Sequence, residues 1–124
     1  MLLKTNRAVF GQILVCSGCC CGRTDKGKPS IPVEWLKKSW KEAGLKKSIQ
    51  LTISGCLGPC DLANVVCILT ATEQIWLGGL TEHDQYEALL EWGKSSAEAG
   101  SLLELPARFQ DHILQRFSCA QEVR

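Results

Sequence analysis

The sequence lacks any apolar run long enough to cross a membrane. Its longest hydrophobic stretches are broken by polar residues or glycine, well short of the roughly 20 apolar residues that span a bilayer. Leu2 and Leu3 are followed at once by the polar stretch 4–7, so the opening lacks the apolar core of a secretory signal. We therefore expect no membrane partner and a location in the reducing cytoplasm.

Motifs of an enzyme active site are also missing. The chain contains no Ser/His/Asp set, no paired carboxylates, no nucleotide-binding loop and no flavin motif. Its two histidines, His83 and His112, fall in or near predicted helices, where a solvated position is a simpler interpretation than a metal ligand. We therefore expect a protein without catalytic turnover of its own.

A strong excess of one charge is absent as well, but the charges are unevenly distributed. The net charge is +1, yet residues 1–50 carry ten Lys/Arg and three Asp/Glu, whereas residues 51–124 carry four and ten. The basic half lacks the aromatic-interleaved motif and the fold signature of a nucleic-acid binder. We expect no nucleic-acid partner, and we interpret the lysines of 37–47 as a solvated helix face.

Cysteine is the residue that this chain of 124 has in excess. Its eight cysteines stand at positions 16, 19, 20, 21, 56, 60, 67 and 119. In a reducing compartment such a number indicates metal or redox chemistry rather than disulfides. Cys67 and Cys119 also fit a role as small buried hydrophobes, but six cysteines in two glycine-rich turns do not.

The hydrophobic pattern predicts an α/β fold. Strands are expected at 12–16, 48–53, 65–69 and 74–77, with a helix from Pro32 to about Gly44. A second helix should follow Gly78-Gly79, with Thr81 and Asp84 as its capping box. The order βαβ then ββα predicts a mixed sheet with helices packed on it, the arrangement of a minimal thioredoxin-like fold.

The C-terminal part is predicted to form an extension to that domain. We place the domain at residues 9–94 and a linker with a C-terminal helical extension at residues 95–124. Residues 95–101 are small and polar, which is typical of a linker. Phe109, Ile113 and Phe117 share one side of a predicted short helix that begins near Pro106.

The two cysteine turns each follow a strand of the predicted βαβ unit. Because parallel strands end at the same edge of a sheet, Cys16–Cys21 and Cys56–Cys60 should converge. Zinc sites commonly use two short turns in which two residues separate the two cysteine ligands. Here three residues separate Cys56 from Cys60, and four separate Cys16 from Cys21. The wider spacing favours a binuclear iron–sulfur cluster, with zinc as the open alternative because zinc sites tolerate variation.

Several segments resemble the thioredoxin-like [2Fe–2S] ferredoxin family, which includes a module of the small flavoprotein-associated subunit of respiratory NADH dehydrogenase. The similar segments within residues 11–93 are 13–16, 55–62, 65–66 and 76–81. The resemblance implies one [2Fe–2S] cluster and a one-electron carrier that serves a partner protein. Its implied ligands are Cys16, Cys21, Cys56 and Cys60.

The resemblance leaves some features of this chain open. Cys19, Cys20 and Cys21 all compete for the second ligand position, and the gap found in the respiratory subunit selects Cys21. Ala63-Asn64 stands where many members have Gly-Pro. The cysteine-rich loop and the stretch 108–117 are similar to stand-alone members linked to cobalamin biosynthesis, which implies a cobalamin-pathway enzyme as redox partner. The family resemblance also admits a homodimer.

Two other functions remain as alternatives. One is an interaction module stabilised by zinc. The other is a thiol–disulfide oxidoreductase that uses Cys16 and Cys19 as a Cys-x-x-Cys motif, although no convincing helix follows Cys19 and the motif leaves Cys56 and Cys60 unexplained. Visible absorbance separates them from a ferredoxin, because zinc and thiols are colourless.

Overall fold

The computed structural model describes residues 2–119 and contains four strands and two α-helices in that range. The order along the chain is β1 (Gly11–Cys16), α1 (Val33–Glu42), β2 (Ile49–Ser54), β3 (Val66–Thr70), β4 (Gln74–Leu77) and α2 (His83–Ala99). Short 3₁₀ turns lie at Thr24–Lys26, Leu45–Lys47, Cys60–Leu62 and Ala107–His112. None of the helices within residues 2–119 is long and apolar enough to span a bilayer.

The strands form one mixed sheet in the order β2-β1-β3-β4. β1 runs parallel to β2 and antiparallel to β3, and β4 pairs antiparallel with β3. The predicted α/β class, with βαβ followed by ββα in a thioredoxin-like mixed sheet, is therefore confirmed. The central strands are buried because their branched residues face packed layers, as Val15, Val66 and Ile68 do.

Both helices bury one face against the sheet. In α1, Leu36 and Trp40 are buried, and the Trp40 indole Nε1–H donates to the Ile49 carbonyl at 2.8 Å. The lysines of α1 are exposed, as predicted for a solvated face. Gly44, at φ +66°, follows the helix and adopts the left-handed conformation that commonly ends one.

The capping box of α2 lies one residue later than predicted. Glu82 is the N-cap, and the buried Gln85 accepts hydrogen bonds of 2.8 Å from the backbone N–H groups of Thr81 and Glu82. Asp84 is exposed and instead pairs with Arg108 at 3.1 Å. The expected Thr81–Asp84 box was wrong because the longer glutamine can turn inward and satisfy two N–H groups.

The linker interpretation was wrong for residues 95–99, because α2 continues to Ala99 and ends at Gly100. Small residues are used there for close packing: the buried Ser96 hydroxyl accepts from the Leu103 N–H at 3.1 Å. The predicted one-sided short helix is a 3₁₀ turn in which Phe109 is buried, whereas Ile113 and Phe117 are exposed. Division of the chain at residue 94 stays a prediction, and residues 120–124 of the extension lie outside the described range.

Candidate metal centre

The two cysteine loops begin at neighbouring positions on one edge of the sheet. Cys16 ends β1 and is paired in register with Ser54, which ends β2. The Ser17 N–H then donates to the Ser54 carbonyl at 3.1 Å, which holds the two loops together where they leave the sheet. The convergence predicted from the βαβ order is confirmed.

Four cysteines form an outer group, which we call the outer thiols: Cys19, Cys20, Cys56 and Cys60. A hydrogen bond with Cys20 and repulsion from it raise the pKa of Cys60. Repulsion from Cys20, together with a hydrogen bond to it, raises the pKa of Cys19. Cys56 acts electrostatically on both Cys19 and Cys60. Thiols from both loops are therefore close enough to influence one another's ionisation.

Cys16 and Cys21 form an inner pair beneath the first loop. They are 2% and 1% exposed and pack with Val65 in a small apolar cluster. Burial raises the pKa of Cys21 to about 12, and a hydrogen bond with Cys16 adds to the rise. Cys20 acts electrostatically on Cys21 as well as on Cys60, so it connects the inner pair to the outer thiols.

The predicted ligands therefore divide between the two groups. Cys16 and Cys21 are the inner pair, whereas Cys56 and Cys60 belong to the outer thiols. Within residues 2–119, no three His, Cys, Asp or Glu side chains are arranged to hold a metal ion. The donor set nevertheless fits an iron–sulfur cluster chemically, because six thiols on two adjoining loops exceed the four thiolates that such a cluster takes.

The remaining cysteines lie elsewhere. Cys67 is buried within β3, opposite Trp76 of β4, and burial raises its pKa. Cys119 is exposed at the end of the described range. For Cys67 the structure agrees with a role as a small hydrophobe, whereas the exposure of Cys119 does not.

Asn64 positions the first cysteine loop, a role that sequence reasoning missed. Its side chain is completely buried. Its Oδ1 accepts from the Gly22 N–H at 2.8 Å, and its Nδ2 donates to the carbonyls of Pro29 at 3.0 Å and Ser30 at 3.3 Å. The signal was the departure from Gly-Pro at Ala63-Asn64, because it placed a polar side chain immediately before a buried strand.

Basic side chains border the outer thiols. The Lys26 ammonium donates to the Cys19 carbonyl at 3.0 Å, and Arg23 donates to the Gly18 carbonyl at 3.0 Å while pairing with Asp25 at 2.6 Å. These contacts order the first loop and leave positive charge at its surface.

The histidines occupy two different environments. His83 is exposed in the first turn of α2, as expected, with its ring centroid 4.5 Å from that of Trp35. His112 is half-buried, so the solvated position expected for it was wrong. Its Nδ1 donates to the Gly78 carbonyl at 2.9 Å, and its Nε2 accepts from the Gln85 amide at 3.0 Å. Both ring nitrogens of His112 therefore serve the packing of the C-terminal segment.

Fold and site together define a small α/β protein with a thiol-rich centre at one edge of its sheet. No known family profile matches the sequence, and no curated protein sequence matches it either. Solved structures of a thioredoxin-like [2Fe–2S] ferredoxin from Aquifex aeolicus are similar to it. One has 16% identity, covers 87% of this chain and 93% of its own, and superposes with a TM-score of 0.49. A cysteine-to-serine variant of that ferredoxin has 15% identity, a TM-score of 0.47, and coverages of 86% and 100%.

Proposed function

We propose that this chain binds one [2Fe–2S] cluster through Cys16, Cys21, Cys56 and Cys60 and carries single electrons for a partner protein. The carrying observation is that two cysteine loops leave the same edge of the sheet side by side and together carry six free cysteines. A bound cluster would supply one-electron chemistry. The protein would supply the thiolates, the loop that orders them and the surface through which a partner approaches.

The environments of the thiols suit such a carrier. The inner pair is shielded from water, whereas Cys56 is exposed and Cys60 half-exposed. Shielding on one side protects thiolates from exchange, and exposure on the other allows brief docking for electron transfer. Asn64 limits the movement of the first loop, so the ligands would change position little when the charge of the centre changes.

Among the four proposed ligands, the second one on the first loop is the position for which several cysteines compete. We assign it to Cys21, which lies beside Cys16. Cys20 is the first substitute, because it acts on the ionisation of Cys60 across the two loops. Cys19 is more exposed and is the weaker substitute.

The proposed partner is a redox protein with an acidic docking surface, and within the family resemblance it is an enzyme of cobalamin biosynthesis. Arg23 and Lys26 lie on the first cysteine loop, and together with the exposed lysines of α1 they could steer an acidic surface. Association should then weaken as salt rises, since exposed charges are screened over about 10 Å at 0.1 M ionic strength. The same proposal places the protein in the cytoplasm and allows a homodimer.

The thiol–disulfide alternative has little geometric support. Cys16 is buried in one apolar cluster with Cys21, whereas Cys19 is exposed. The structure assigns no helix to residues 17–23, and only the 3₁₀ turn Thr24–Lys26 follows. A Cys-x-x-Cys redox motif relies on a helix N-terminus to activate its attacking thiol.

Metal analysis of the full chain tests the proposed function. After anaerobic purification with iron supplied, we expect about two iron and two sulfide ions per chain, visible absorbance, and reversible uptake of one electron. Stoichiometric zinc without sulfide would replace the proposal by the zinc-stabilised module. A colourless protein that cycles a Cys16–Cys19 disulfide would replace it by the oxidoreductase.

A further inference from the structure

Arg116 lies on the loop that joins Cys56 to Cys60, although it belongs to the C-terminal segment. Its Nη2 donates to the Leu57 carbonyl at 3.5 Å. Its guanidinium also occupies the space in front of Gly58, where a Cβ atom would overlap Nη2 and lie 3.4 Å from Nε. The cation can approach this main chain because residue 58 has no side chain.

Backbone pairing to β4 fixes the position of this arginine. Ile113 forms an antiparallel bridge with Leu77, and the Leu114 N–H donates to the Trp76 carbonyl at 2.9 Å. The Arg116 guanidinium carbon lies 5.4 Å from the centroid of the Trp76 ring, a separation at which a cation and an aromatic face attract. Arg116 is therefore directed to the cysteine loop by strand pairing and ring packing.

The charge of Arg116 is not balanced by a carboxylate within the described range. Arg23 pairs with Asp25 and Arg108 with Asp84, but no acidic side chain of residues 2–119 lies within 4.0 Å of the Arg116 guanidinium. Its Nε is buried and has no hydrogen-bond partner in the same range. Burying such an N–H costs stability, so the fold holds an unneutralised cation beside the Cys56–Cys60 loop at a cost.

We propose that Arg116 raises the reduction potential of the cluster that the Cys56–Cys60 loop helps to bind, an inference that rests on the proposed function. In the redox step one electron passes from a one-electron donor, such as the partner protein, to the oxidised cluster, and no covalent bond forms or breaks. The reduced cluster carries one more negative charge than the oxidised one. A neighbouring cation therefore stabilises the reduced form more.

The size of the effect follows from the distance and the charge. Cys56 and Cys60 are each two residues from Gly58, hence within about 7 Å along the chain. If the added electron lies about 12 Å from the guanidinium, a unit charge in an effective dielectric constant of about 20 changes the ratio of reduced to oxidised cluster about tenfold. For a one-electron couple this corresponds to about 59 mV.

The test compares redox titrations of the purified full chain with those of Arg116→Gln, Arg116→Lys and the control Arg108→Gln. Arg108 belongs to the same segment but pairs with Asp84 at the start of α2. We expect Arg116→Gln to lower the reduced-to-oxidised ratio about tenfold at a fixed potential. Arg116→Lys should keep most of the original ratio because it keeps the charge, and Arg108→Gln should change it less than twofold.

Each further outcome decides the matter. Equal shifts in Arg116→Gln and Arg116→Lys would overturn the proposal, because packing rather than charge would then be responsible. An unchanged potential in Arg116→Gln would overturn it as well. Loss of the cluster in Arg116→Gln but not in Arg116→Lys would also overturn it, because Arg116 would then be needed to hold the cluster rather than to set its potential. A wild-type chain without iron and sulfide would overturn the proposed function itself, and the role of Arg116 with it.

Discussion

The Asn64 side-chain oxygen accepts a hydrogen bond of 2.8 Å from the backbone N–H of Gly22. This bond connects the segment before β3 to the first cysteine loop, 42 residues earlier in the chain. The amide of the same side chain donates to the Pro29 and Ser30 carbonyls, so one buried residue holds the loop directly after Cys21 and again near its end.

Replacement of Asn64 should loosen that loop. Asn64→Ala leaves one N–H and two carbonyl groups without their partner, so we expect the free energy of unfolding to fall by about 2–3 kcal/mol. Asn64→Asp should be at least as harmful, because a carboxylate oxygen would face two carbonyl oxygens. Chemical denaturation measures the loss, and faster amide exchange at Gly22 would locate it. Asn6, the other asparagine of the chain, is exposed, so Asn6→Ala should change stability by less than about 0.5 kcal/mol.

Substitution of Gly58 should disturb the contact with Arg116. Gly58 and Gly18 have similar φ values of +121° and +117°, but a Cβ at Gly18 meets nothing within 4 Å. Gly18→Ala should therefore cost only backbone strain, about 1–3 kcal/mol, whereas Gly58→Ala should cost more because it also displaces a guanidinium. In denaturation experiments on Gly58→Ala, Arg116→Ala and the double variant, the two substitutions should not be additive. The coupling energy between them should be about 0.5–3 kcal/mol, because Gly58→Ala displaces no guanidinium once Arg116 is alanine. The prediction is contradicted if Gly18→Ala and Gly58→Ala lower the free energy of unfolding equally and Gly58→Ala shows no coupling to Arg116→Ala. The Arg116 side chain would then move away from the new Cβ without loss of stability.

Serine variants of the cysteines should distinguish the cluster ligands from the cysteines that do not bind the cluster. We expect Cys16→Ser, Cys21→Ser, Cys56→Ser and Cys60→Ser to lose or strongly change the visible spectrum, because serine does not reproduce thiolate ligation. Cys119→Ser is the matched control and should keep the spectrum and the iron content.

The same serine variants also test which cysteine is the second ligand. If Cys21→Ser keeps its spectrum while Cys20→Ser loses it, the second ligand is Cys20, the thiol that raises the pKa of Cys60. Retention of the cluster in both Cys56→Ser and Cys60→Ser would contradict the proposed site altogether.

The C-terminal segment should contribute strongly to stability. Phe109 is completely buried, whereas Phe117 is 59% exposed. Phe109→Ala should reduce the free energy of unfolding by about 3–5 kcal/mol, because it removes a large core side chain. Phe117→Ala removes the same atoms from the surface and should cost less than about 1 kcal/mol. Thermal and denaturant unfolding compare the two, and similar losses would contradict the packing described for this segment.

The α/β class, the order of strands and helices, and the convergence of the two cysteine turns could all be predicted from the residue pattern. Period-two alternation in β2, the apolar stripe of α1 and the glycine after α1 are local signals, and local signals define local structure. The convergence of Cys16 with the Cys56–Cys60 turn followed from a general rule, because parallel strands joined by a helix end at the same edge.

Long-range contacts in the folded chain determine which side chains lie at the site and how the C-terminal segment packs. The small residues 95–99 are typical of a linker, yet they are helical because Ser96 and its neighbours pack closely against the segment that follows. Asn64 and Arg116 reach cysteine loops that are distant in sequence, through a hydrogen bond over 42 residues and a contact over 59. Such contacts depend on the path of the folded chain, and no local pattern of residues encodes them.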